Sequence, residues 1–242
     1  MKKLTYILLS LCLLVNFTSC DVDNYGEPEE TFRGAFIDKE TKEPFQTAIG
    51  NTGIRIRMME YSWSDTPEPY DFNCMQDGTF QNTKIFAGNY GIIPEGFVPL
   101  DEEIIDIKGT VEKTYEIEPL LRVKWVGEPQ VNADGTVEVK VIITRGTNNP
   151  DYQQPLTEAW LFVSETSYVG DFSFSPRFST QLLGAALTDV LGKEITIKTK
   201  GQFPDYSRKF FLRVGARTTK SFSGTNRYNY TTIKEITTIA RN

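Results

Sequence analysis

Two sets of aromatic side chains in this chain are of a type and spacing that could do chemistry. Tyr61, Trp63, Tyr70 and Phe72 surround Ser62-Trp63-Ser64-Asp65-Thr66-Pro67-Glu68-Pro69, a polar, proline-bearing stretch that reads as a loop. Aromatic faces on a loop suit a sugar, because the C–H groups of a pyranose meet the negative π-face while polar edges reach the hydroxyls. The competing reading is that Trp63 folds back as a lid on the core. Trp160 and Phe162 form the second set, on the strand face opposite Ala159, Leu161 and Val163. Either that strand is buried on both sides, with Trp160 against another module, or Trp160 is displayed as a ligand platform. The candidate ligand-binding residues are therefore Tyr61, Trp63, Tyr70 and Trp160.

Catalytic and metal chemistry finds little to work with. The chain has no histidine, which removes the commonest metal ligand, the usual general base and the standard partner of a Ser or Cys nucleophile. Carboxylate-only glycoside hydrolysis survives that test, but with 32 Asp plus Glu no pair stands out. Asp101, Glu102, Glu103 and Asp106 lack the glycine-punctuated spacing of a Ca²⁺ loop and read as a solvated turn and strand edge. Asp134-Gly135 reads as a hairpin turn. The expectation is a protein that is not an enzyme and carries no cofactor or metal.

Cys20 has a different chemistry. Lys2 and Lys3 precede an apolar run from Leu4 to Val15, shorter than the ~20 residues of a spanning helix, so residues 1–19 read as a signal peptide. Phe17-Thr18-Ser19 places small residues just before Cys20, as cleavage ahead of a lipid-modified cysteine requires. Thioether diacylglycerol plus an acylated amine on Cys20 gives enough hydrocarbon for stable attachment. Residues 20–30 are acidic and nearly without apolar side chains, a solvated tether.

Charge and cysteine count narrow the class further. The balance is 26 Lys plus Arg against 32 Asp plus Glu; losing Lys2 and Lys3 with the leader makes it 24 against 32. An acidic surface without a basic stripe argues against nucleic acid. Of the three cysteines, Cys12 leaves with the leader and Cys20 is lipidated, so Cys74 has no disulfide partner within the mature chain and reads as a small buried apolar residue.

The elements that must position these groups are strands. From Thr31 onward the hydrophobic period is two. Ile54, Ile56 and Met58 alternate with Arg55 and Arg57; Val137, Val139, Val141 and Ile143 repeat the pattern, as do Ile195 and Ile197, and Phe210, Leu212 and Val214. Ser179 to Leu191 is the one helix-like stretch, with Gly192 placed to end a turn there. Many short strands between frequent turns predict β-sandwiches. A boundary near Glu118-Pro119 divides the body into modules at 31–118 and 119–242, and without a long polar linker the two pack against each other. The fold class is all-β, two sandwich domains.

The opening Phe32-Arg33-Gly34-Ala35-Phe36-Ile37-Asp38, with its turn through Lys39-Glu40-Thr41-Lys42-Glu43-Pro44-Phe45, resembles transthyretin-like, carboxypeptidase-regulatory-type sandwiches, with Lys42 at the glycine position of that turn. Asp77-Gly78-Thr79-Phe80 and Ala87-Gly88-Asn89-Tyr90 resemble the Asp-Gly-x-Phe and Ala-Gly-x-Tyr pair of such modules. With Ala159 to Ser164 and Phe211 to Arg217, the chain resembles a domain-of-unknown-function family of two-domain bacterial lipoproteins, whose second domain is fibronectin-III or immunoglobulin-like. Phe17 to Cys20 resembles a lipobox, and the acidic residues after it resemble a signal for the outer face of the outer membrane. The resemblance implies a cell-surface lipoprotein, membrane-bound through its lipid, encoded beside an outer-membrane glycan transporter. It implies a polysaccharide ligand presented to that complex or, alternatively, a structural or protein-interaction subunit that never touches glycan.

Overall fold

Period-two alternation is what sorts the side chains into cores, and the computed structural model, which describes residues 26–239, follows it strand by strand. The leader, Cys20 and the first part of the acidic tether lie outside the described residues. The first sandwich holds β1 (Glu30–Asp38), β2 (Arg55–Glu60), β3 (Pro69–Asn73), β4 (Thr79–Ile85), β5 (Gly88–Glu95), β6 (Glu103–Ile107) and β7 (Thr110–Ile117). Its sheets are ordered β4-β1-β7 and β3-β2-β5-β6. Ile54, Ile56 and Met58 enter the core from one sheet, and Phe32, Phe36, Phe80 and Tyr115 meet them from the other. Cys74 is buried in that core as a free thiol.

β1 and β7 are parallel, paired from Thr31 with Thr110 to Asp38 with Ile117. Both strands therefore run toward the second sandwich. The far end carries Glu30, which pairs with Ile85, and Glu60, which pairs with Tyr90. In the turn after β1, Lys42 has φ 59°. The position keeps the left-handed backbone that favours glycine while carrying a long side chain, whose ammonium lies 2.7 Å from Glu116.

The second sandwich holds β8 (Leu121–Trp125), β9 (Gln130–Val131), β10 (Val137–Arg145), β11 (Leu156–Ser164), β12 (Thr180–Leu183), β13 (Glu194–Lys198), β14 (Arg208–Thr218), the hairpin β15 (Ser221–Phe222) and β16 (Thr225–Asn226), β17 (Asn229–Tyr230) and β18 (Lys234–Thr238). One sheet is β13-β10-β8 with β9 on β10; the other is β12-β11-β14-β17 with β18 on β14. Val137, Val139, Val141, Ile143, Leu161, Leu212 and Val214 fill the space between them. The helix-like stretch 179–191 is not a helix: Thr180–Leu183 pairs with β11, and only Gly184–Leu187 makes a 3₁₀ turn. Sheet pairing there overrides helical spacing, and Leu187 still reaches the core.

The two sandwiches are joined by arginines of the second. On β14, Phe211, Arg213, Gly215 and Arg217 alternate with the core residues Phe210, Leu212, Val214 and Ala216, so they face away from the second core, and Arg213 among them reaches the first sandwich. Arg213 is 0% exposed; it donates to the carbonyls of Thr231 and Thr47 at 3.0 Å, Gln76 at 2.8 Å and Val169 at 3.4 Å. Its guanidinium lies 4.2 Å from the centre of the Tyr230 ring. Burial lowers its pKa to about 10. Gly215 makes room for this packing, since a Cβ there would come within 2.7 Å of Tyr230 and 3.0 Å of Phe162. Arg227 reaches the carbonyls of Asn51 and Gly53, and the tip of the β15–β16 hairpin docks Ser223 on Arg55 and Glu95.

Candidate ligand-binding surfaces

Trp63 stands beyond the end of β2, 70% exposed, and its base is anchored. The Tyr61 N–H donates to the Asn89 carbonyl at 2.8 Å, the Asn89 N–H donates to Ser62 Oγ at 2.7 Å, and Trp63 Nε1 donates to Glu60 Oε1 at 2.7 Å. The indole is therefore held outward rather than folded over the core as a lid. The Tyr90 hydroxyl donates to the Phe86 carbonyl at 3.0 Å, and its phenol is pushed up to about 12 by burial and then by the nearby Glu60 carboxylate.

The three tyrosine and tryptophan candidates of this region do not form one flat platform. Met58 pairs with Tyr70 across β2 and β3, so Tyr70 shares the core-facing side. At the open edge of the sandwich it is 53% exposed, packs 6.4 Å from Phe72 and accepts a hydrogen bond from Asn82 on the opposite sheet. Tyr61 lies on the other face, over Gly91, where a Cβ would come within 1.8 Å of Glu102 and 2.8 Å of the Tyr61 ring. Its hydroxyl donates to Glu102 at 2.9 Å, and that bond raises its pKa. Period-two geometry separates residues that sequence proximity grouped.

Trp160 is elsewhere, on the outward face of β11 in the second sandwich. It stacks on Phe162 with centroids 5.3 Å apart, meets Phe174 edge-on and donates to Glu158 at 2.8 Å. Ala48 of the first sandwich joins the same aromatic cluster. Of the two arrangements open from sequence, the strand is covered on both sides, and Trp160 is half-buried at the junction. Among the described residues no three His, Cys, Asp or Glu side chains converge to hold a metal ion.

A concavity of about 400 Å³ lies where the sandwiches meet and is lined by Phe45, Arg122, Val123, Trp125 and Asn229 among others. At its floor Arg122 grips Asp38 through Nε at 2.6 Å and Nη2 at 3.0 Å. Burial opposes the Asp38 charge, but the Arg122 bonds and the N–H groups of Glu40 and Thr41 outweigh it and hold the carboxyl below its ordinary value. A carboxylate held in this way is a poor general acid. Lys124 and Glu43 pair 3.3 Å apart. The Trp125 ring packs partly against the second core and partly lines the cleft, and its Nε1 donates to the Thr232 carbonyl. Sequence reasoning missed Asn229, because a lone asparagine before a tyrosine carries no local signal of where the chain folds it.

The family profile described as the N-terminal domain of a protein of unknown function (DUF3823) matches residues 30–118. Among solved structures, a DUF3823 family protein from Bacteroides uniformis ATCC 8492 is 34% identical with a TM-score of 0.78, the match covering 88% of this chain and 100% of that one. Another Bacteroides uniformis protein, provisionally described as carbohydrate-binding, shares the fold at 21% identity and a TM-score of 0.70, covering 86% of this chain and 99% of that one. A DUF3823 family protein from Parabacteroides merdae ATCC 43184 shares it at 15% identity and a TM-score of 0.64, covering 87% and 100%. No curated protein matches the chain.

Proposed function

The chain belongs to the DUF3823 family of proteins of unknown function, and from that premise we propose that it is a non-catalytic lipoprotein, tethered through Cys20 to the outer membrane at the cell surface, that holds or presents a polysaccharide for an outer-membrane glycan import complex. The observation that carries the reading is Trp63: a large indole, exposed and yet fixed in orientation by Glu60 and by the Ser62–Asn89 bond. A pre-fixed aromatic face binds a sugar ring with little ordering cost. The complete absence of histidine and the arginine-paired carboxylate in the cleft between the sandwiches support the non-catalytic part. The carbohydrate-binding description of one fold neighbour supports the ligand class.

Affinity electrophoresis and calorimetry against a panel of neutral and acidic polysaccharides test it. The wild-type chain binds at least one glycan, and Trp63→Ala weakens that affinity about tenfold or more, the scale of one lost aromatic contact, without lowering the melting temperature. Uniform absence of binding overturns the reading. It would favour the second one, a protein-interaction subunit, for which exposed Trp63, Tyr70 and Phe86 supply the aromatic residue types of binding hot spots; pull-down from solubilised membranes then recovers a stable partner. Palmitate labelling that disappears in Cys20→Ala, with protease shaving of intact cells, tests the attachment and the side.

A further inference from the structure

We infer that the cleft between the two sandwiches is a second saccharide site, shaped for one or two uncharged sugar units. It shares the ligand class of the proposed function and none of the Trp63 loop's residues.

Asn229 is the first reason. It is 3% exposed, and its Oδ1 is committed to the Leu121 N–H at 2.8 Å, which fixes the orientation of the amide. Among the described residues its Nδ2 has no partner, and it is open to the cleft that Asn229 lines. A nearly buried amide with two unused donors facing a solvent-filled concavity is an arrangement that a hydroxyl-bearing ligand completes.

The free edge of β8 is the second. β8 is an edge strand of its sheet. The Gly146 N–H bonds the Leu120 carbonyl and the Val126 N–H bonds the Lys140 carbonyl, while Val123 lies opposite Ile143. In an antiparallel ladder the bonded pairs alternate. Arg122 and Lys124 therefore direct their N–H and C=O groups to β10, whereas Leu121, Val123 and Trp125 turn theirs the other way. Leu121 uses its N–H on Asn229. The groups of Val123 and Trp125 line the cleft, beside the Trp125 ring.

Charge and size select among ligands. The ionic groups of the cleft are already paired, Asp38 with Arg122 and Glu43 with Lys124, so no unbalanced charge awaits an ionic ligand. What remains is an amide donor, backbone donors and acceptors, and an indole, the set that an uncharged sugar ring uses. About 400 Å³ is at the lower end of the range for small-molecule pockets, about 300–1,000 Å³. An extended peptide added to β8 is disfavoured, because Asn229 already occupies the ladder at Leu121 and leaves only Val123 and Trp125 to pair.

Amide NMR of the isotope-labelled mature chain, titrated with cellobiose, maltose, laminaribiose and xylobiose at millimolar concentrations, tests the inference. At least one disaccharide gives saturable shifts at the Asn229 side-chain amide, the Val123 and Trp125 backbone N–H groups and the Trp125 indole, and these persist in Trp63→Ala. Asn229→Asp keeps the acceptor for Leu121 and loses the donors; Glu43→Trp fills the cleft from an exposed position. Each weakens the cleft affinity about tenfold or more, the scale of one or two hydrogen bonds. Shifts confined to residues 61–68 overturn the inference and leave the proposed function standing. Cleft shifts produced by a short valine-rich peptide and by no sugar overturn it in favour of strand addition, and no shift with any sugar overturns both readings.

Discussion

Replacing Arg213 with methionine removes the guanidinium while keeping much of the side chain's bulk, and the structure sets the size of the effect. Three carbonyls lie within 3.0 Å of its nitrogens. That of Gln76 also accepts the Thr47 N–H, so Thr47 and Thr231 are the two left most exposed to loss. An orphaned buried acceptor costs about 1–3 kcal/mol, and the contact over Tyr230 adds about 1 kcal/mol. Against this, a buried charge no longer has to be desolvated, a relief that in other proteins offsets several kcal/mol. Taking the middle of each, Arg213→Met destabilises by about 3 kcal/mol, a fall in melting temperature of about 6–12 °C at about 2–4 °C per kcal/mol. Paired thermal and urea melts read it, with Arg213→Lys falling between because an ammonium cannot span the separate carbonyls. A methionine variant that melts at or above the wild-type temperature would refute the reasoning, since the desolvation relief would then exceed everything the fork holds.

Three further outcomes follow from the same structure. Because the Asp38 carboxyl is held below its ordinary value, its contribution is present above the ordinary carboxylate range and lost as pH falls through its folded value; Asp38→Asn costs about 1–3 kcal/mol at neutral pH, and urea midpoints of the two proteins converge in acid. Lys42→Gly relieves a left-handed lysine at the loss of an exposed ion pair, and raises the urea midpoint by about 0.5–1 kcal/mol equivalent. Cys74 is buried, and burial pushes its thiol up; in the mature Cys20→Ala chain a thiol reagent labels it only when denaturant unfolds the first sandwich.

The alternation of apolar residues was enough to read both cores, because each strand has one face that must leave water: Ile54, Ile56 and Met58 leading into and along β2, and Val137 through Ile143 on β10, lie where period two puts them. It could not reveal that the opposite face of β14 is buried too. Arg213 and Arg217 look like a solvated face until Thr47 and Gln76, far away in the chain, supply carbonyls for Arg213. The hint was composition, since Phe211 and Gly215 share that face and Trp160 and Phe162 share its neighbour on β11. The aromatic loop was legible as a loop, but proximity in sequence could not show that Tyr61 and Tyr70 diverge to opposite faces. The cleft depends on which strand ends as an edge beside Asn229, a long-range fact with no local trace.

The parallel pairing of β1 with β7 also gives the molecule an up and a down. Residues 21–30 can span at most about 35 Å, so under the proposed attachment through Cys20 the Glu30 end of the first sandwich would stay close to the bilayer. The Ile85–Gly88 turn and the Trp63 loop are at that same end, so under that attachment the aromatic loop would face inward, toward the membrane. The second sandwich would then stand above like the head of a mast, with the cleft at its neck. A glycan meeting such a molecule from outside would reach the neck first and the foot last, a descent directed at the membrane.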